Sequence, residues 1–73
     1  MHASELLRAW RLREDLSQTA AAVGIGVTQP TLSDYETGRK IPRTITAIRI
    51  AELTGGAVPV VSWLDEPNPD AAA

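Results

Sequence analysis

Apolar residues recur three and four positions apart in short runs, and glycine- or hydroxyl-bearing breaks separate the runs. Leu6, Leu7 and Trp10 mark one side of a first helix, which Ser4 can cap and which should end near Asp15. Ser17 reads as the N-cap of a short second helix, QTAAAV, whose Ala20, Ala21 and Ala22 favour helix and permit close packing. Gly24 and Gly26 punctuate the chain after it, and Gly26 suits a left-handed helix end. Thr28 is the next cap. Pro30 fits a first turn, where its missing N–H costs nothing, and Leu32 and Tyr35 mark the buried side of a third helix. Gly38 is a stop signal before the loop GRKIP, which carries Arg39 and Lys40 and closes at Pro42.

A fourth helix should run from Thr44 to Leu53, with Ala47, Ile50, Ala51 and Thr54 inward, and stop at Gly55-Gly56. Pro59 can start a brief fifth helix, PVVSWL. VPVV also has the length of a strand, but it contains Pro and finds no partner strand. The segment EPNPDAAA has two prolines and no apolar period, so residues 65–73 read as a disordered acidic tail. The pattern predicts an all-α fold: a compact four- or five-helix bundle over residues 1–64, then that tail.

Composition narrows the function. The chain has 73 residues, enough for one small domain, and 44% are hydrophobic against 22% charged, so it can collapse. The absence of cysteine excludes disulfides, thiolate zinc sites and thiol nucleophiles, and fits a reducing cytoplasm. The single histidine, His2, stands beside Met1 and reads as a solvated group. No apolar run approaches the ~20 residues of a membrane span, and Arg8, Arg11 and Arg13 interrupt the N-terminal region where a signal peptide would lie. There is no Ser-His-Asp set, metal cluster or phosphate-cradling loop, since GIG falls between two helices and not after a strand. An enzyme, a bound metal, a cofactor and a small-molecule ligand are therefore not expected.

Charge is uneven. The net charge is −2, yet Asp65, Glu66 and Asp70 fall in the last nine residues, leaving seven bases against six acids in the body. The two short helices joined through GIGV form a helix-turn-helix pattern. In that motif the second helix lies in the major groove of DNA with its first residues at the base edges. Here these are Thr28, Gln29, Pro30 and Thr31, with Asp34 one turn on. Gln can pair bidentately with adenine, and Asp can accept from cytosine N4. The Thr31 methyl and the Pro30 ring offer apolar contact. Arg39, Lys40 and Arg43 supply cations for phosphates. The plain alternative is that this polar face and basic loop are only a solvated surface.

Leu7, Trp10 and Arg11, LSQ at Leu16 to Gln18, Ala21-Ala22, IGVTQ from Ile25 to Gln29, Leu32, Ser33, Tyr35, Glu36-x-Gly38, Pro42 and Ile50-Ala51 occur in one ungapped register. Over that span, about two-thirds of the chain, the sequence resembles the phage repressor and Cro family of helix-turn-helix domains, the xenobiotic-response-element type with a lambda-repressor-like fold. The resemblance implies that Gln29, Pro30 and Asp34 face bases, with Thr28 and Thr31 beside them. It implies that Gln18 bonds a phosphate, with Ser33 and Thr37 also at the DNA backbone. It further implies a structural ion pair between Arg11 and Glu36. The chain departs from the family in its three alanines of helix two, in the acid Asp34, and in Thr54-Gly55-Gly56. That last element, with Val58, resembles small Cro-like regulators of prophages.

The resemblance implies a bacterial, cytoplasmic transcriptional repressor that binds double-stranded DNA. A domain this small makes few contacts, so a homodimer on a palindromic operator is the natural arrangement. Trp63 reads first as a cap on the hydrophobic core; alternatively, Val60, Val61, Trp63 and Leu64 form a candidate dimer patch. The second functional class is an antitoxin or protein-interaction module of the same fold, with DNA binding secondary.

Overall fold

Five side chains with almost no solvent contact, Leu7, Ile25, Leu32, Ile50 and Val58, converge from along the chain on one core. Full burial of such a side chain stabilises by ~1.5–3 kcal/mol. The structure is a computed structural model that describes residues 2–66. It forms α1 (Ala3–Arg13), α2 (Gln18–Ile25), α3 (Gln29–Thr37), α4 (Thr44–Leu53) and a final 3₁₀ helix (Val60–Asp65). No strand occurs among the described residues, and Pro59 of VPVV is the N-cap of the 3₁₀ helix. The all-α expectation holds.

α3 packs against both α1 and α2, while α4 packs against α2 and the 3₁₀ helix. The alanines of α2 explain its role as filler: Ala21 and Ala22 are buried and let neighbouring helices approach. Gly24 does not end α2 but lies within it. A Cβ there would stand 3.2 Å from Leu53 Cδ2, so α4 rests almost on the α2 backbone.

Three expectations need correction. Ser4 does not cap α1; His2 is the N-cap and Ser4, buried, is already inside the helix. The first-turn N–H groups of a helix lack partners within it. The Ser4 N–H instead points at Glu66 Oε2, 3.5 Å away, and His2 Nδ1 is 3.8 Å from the same oxygen. A carboxylate is well suited to a helix N-terminus.

Glu66, 6% exposed, is thus part of the fold, not the start of a tail at residue 65. The remaining tail residues, 67–73, lie outside the described residues. Third, the candidate dimer patch loses Trp63, whose core-capping reading holds. It is buried, with its ring edge-on to Tyr35 at 6.1 Å between centroids, and it closes the core. Val61 and Leu64 stay exposed, and Val60 is half-buried.

Candidate nucleic-acid interface

Local chemistry sets both helices of the motif. The Ser17 hydroxyl accepts from Ala20 N at 3.0 Å and the Thr28 hydroxyl accepts from Thr31 N at 3.3 Å, each satisfying a first-turn donor. Gly26 takes φ 89°, which lets Gly26 N and Val27 N both donate to the Ala22 carbonyl and turns the chain within three residues. Pro30 sits in the first turn of α3, and Gly38 ends that helix at φ 77°.

A chain of polar contacts then runs from the core to the surface. Arg11 Nε donates to Glu36 Oε2 at 2.7 Å and Nη2 donates to Oε1 at 3.0 Å, a forked contact that joins α1 to α3. Arg11 Nη1 donates to the Leu16 carbonyl at 2.9 Å. The side chains are 11% and 2% exposed. The hydrogen bond that Arg11 donates to Glu36 holds the guanidinium above its ordinary pKa, against burial and with help from the Glu36 charge. Gln18 Nε2 donates to Glu36 Oε1 at 3.2 Å, and Gln29 Nε2 donates to Gln18 Oε1 at 2.7 Å.

Gln18 therefore bridges the ion pair to Gln29, a connection that no local sequence signal announces. An amide NH₂ has two hydrogens. Gln18 keeps one N–H for another acceptor. Gln29 keeps one N–H and its carbonyl oxygen, a donor and an acceptor side by side. That is the pattern adenine N7 and N6 require in the major groove.

The other candidate residues lie on α3, at its N-cap and along the loop that leads to α4. Thr28 Oγ1 donates to Thr31 Oγ1 at 3.0 Å, and Thr28, Gln29 and Pro30 are exposed. Asp34 lies half-buried one turn beyond Pro30, with Lys40 Nζ 3.5 Å from its Oδ2. Ser33 is half-buried, and its carbonyl accepts from the Thr37 hydroxyl at 3.0 Å, so Thr37 already has a bond within its own helix. Arg39 and Arg43 are exposed. Arg43 is the N-cap of α4, close enough to Tyr35 that its charge opposes the rise in the phenol pKa caused by burial.

One cation, Arg49, was not among the residues expected at this surface. Its Nη1 lies 3.4 Å from where a Cβ on Gly26 would stand, against the turn between α2 and α3. α2 has no base in its own last turn, and Arg49 places one beside its C-cap from α4. Only the packing of α4 on α2 creates this contact, so spacing along the chain could not reveal it.

The described residues contain no group of three or more His, Cys, Asp or Glu able to hold a metal ion. Among them, no helix is long and apolar enough to cross a membrane. No curated protein and no solved structure matches the chain. A family model described as helix-turn-helix does match, over residues 7–59, which takes in most of α1 and all of α2, α3 and α4. With more than half its length matched and the helix pair in place, the chain belongs to the Cro/C1-type helix-turn-helix family, a family of DNA-binding transcription regulators.

Proposed function

We propose that the chain is a sequence-specific repressor that lays α3 in the major groove of double-stranded DNA. Gln29, Asp34, Thr28, Pro30 and Thr31 face the bases. Gln18, Ser33, Thr37, Arg39 and Arg43 lie toward phosphates. The observation that carries the reading is the Gln29 amide, held by Gln18 at 2.7 Å and so oriented before any DNA arrives. A side chain already fixed gives up less rotamer entropy on binding. The exposed Val61 and Leu64 support a homodimer on a palindromic operator, where occupancy of a promoter excludes polymerase.

The test is selection of the protein against a random duplex pool at about physiological salt, beside a Gln29→Ala, Asp34→Ala double variant. The expected outcome is a palindromic motif that the double variant loses. The absence of any enriched motif, at low salt as well, would overturn groove reading and leave protein interaction as the function.

A further inference from the structure

Asp34 is an awkward side chain for a surface that meets a polyanion, because a bare carboxylate there repels phosphate. The fold supplies a partner. Gly38 turns the chain back at the end of α3, and the Asp34 carbonyl then accepts from both Arg39 N at 2.9 Å and Lys40 N at 3.3 Å. The start of the loop is thus moored to the residue whose side chain needs a cation. From that mooring the Lys40 ammonium reaches Asp34 Oδ2 at 3.5 Å, with side-chain exposures of 61% for Lys40 and 26% for Asp34.

Resting on the proposal that α3 reads the groove, we infer that Lys40 is a positioning residue for base recognition and not a phosphate ligand. It engages Oδ2, offsets part of the carboxylate charge, and leaves the other oxygen, Oδ1, as an acceptor. An acceptor-only group in the major groove reads an amino donor, and the cytosine N4 amino group is the matching one. A lysine spent on Asp34 cannot also neutralise a phosphate at full strength. The two roles therefore predict different changes when Lys40 is removed.

The experiment compares the full chain with Gln29→Ala, Lys40→Ala, Lys40→Arg, Asp34→Ala and the Asp34→Ala, Lys40→Ala double variant. Each is titrated with the selected duplex and its single-base-pair variants over a range of salt. Asp34→Ala should relax preference at one base pair. Lys40→Ala should relax that same base pair, by about fivefold or more, and should add nothing once Asp34 is gone. Lys40→Arg should keep most of the preference. The salt slope of Lys40→Ala should stay close to that of the parent.

The inference is overturned if Lys40→Ala keeps every base preference while the slope falls by about 0.9, the value of one lost phosphate contact. It is overturned equally if Lys40→Ala weakens discrimination to the same extent with and without Asp34. Failure of the groove reading looks different: neither Gln29→Ala nor Asp34→Ala changes any preference, and Lys40 then has no base-reading partner to position.

Discussion

α2 opens with Ser17-Gln18 and stops at a left-handed Gly26; α3 opens with Thr28-Gln29 and stops at a left-handed Gly38. In both, the capping hydroxyl takes the N–H three residues on. Between those shared ends the side chains diverge. α2 carries alanines, Val23 and Ile25, and serves as packing material between α3 and α4. α3 buries only Leu32, Tyr35 and Glu36 and gives the rest of its surface to short polar groups. The signals that start and stop a helix are thus independent of what its faces do. The two glutamines, each the first residue of its helix, are where the divergence is bridged, since one holds the other.

The strongest way to break this comparison is Glu36→Ala. It leaves the Arg11 guanidinium and the Gln18 amide without their acceptor, and removing one partner of a buried pair costs ~3–5 kcal/mol. A denaturation midpoint close to the parent's would mean that α3 is held by Leu32 and Tyr35 alone. Next comes Gln29→Ala, expected to cost roughly 1–3 kcal/mol of discrimination at one base pair. Gln18→Ala should relax the same base pair by less, because it frees the Gln29 amide without removing it. Titration against single-base-pair variants reads both, and relaxation at two different base pairs would separate residues that the structure joins.

The shared ends give a finer test. Ser17→Ala and Thr28→Ala should each lose ~1 kcal/mol of stability. Only Thr28→Ala, at the α3 end, should also weaken DNA binding at a fixed salt. Equal losses of affinity would mean that both helix starts meet DNA alike. The smallest effect is expected at Gly24→Ala. Alanine favours a helix interior by ~0.8–1 kcal/mol, while its Cβ would press on Leu53 Cδ2 at 3.2 Å. The terminal carbons of Leu53 can give way, so the net change in a thermal melt should stay within ~1 kcal/mol. A larger loss would show that α2 and α4 have no slack between them.

What was legible in the sequence was what neighbouring residues decide. Ser17, Thr28, Gly26 and Gly38 announce helix ends because a cap or a left-handed turn involves residues within a few positions. Leu32, Tyr35, Ala47 and Ile50 announce burial through their spacing. The Arg11–Glu36 geometry agrees with what the family resemblance implied. Long-range contacts were not legible. Ser4 looked like a cap because its hydroxyl suits one, but the carboxylate that serves its N–H is 62 positions away. Trp63 read first as a core cap and second as an interface residue, and its burial against Tyr35 bears out the first. The candidate base-facing residues were named from motif and resemblance, whereas the bridge through Gln18, the Asp34–Lys40 pair and the Arg49 contact appear only once helices are packed.

The Ser4–Glu66 contact has a kinetic consequence. By joining residues 62 positions apart, it closes nearly the whole described chain into a ring. Closing so long a loop from the open chain carries an entropy cost that grows with loop length. The helices and their near neighbours should form first, and the ring should shut on an assembled bundle. A contact made after the rate-limiting barrier leaves the folding rate alone and slows only the reverse step. Glu66→Gln should therefore steepen escape from the native state without delaying arrival there, and anything fused close to either His2 or Glu66 would weigh on the same latch.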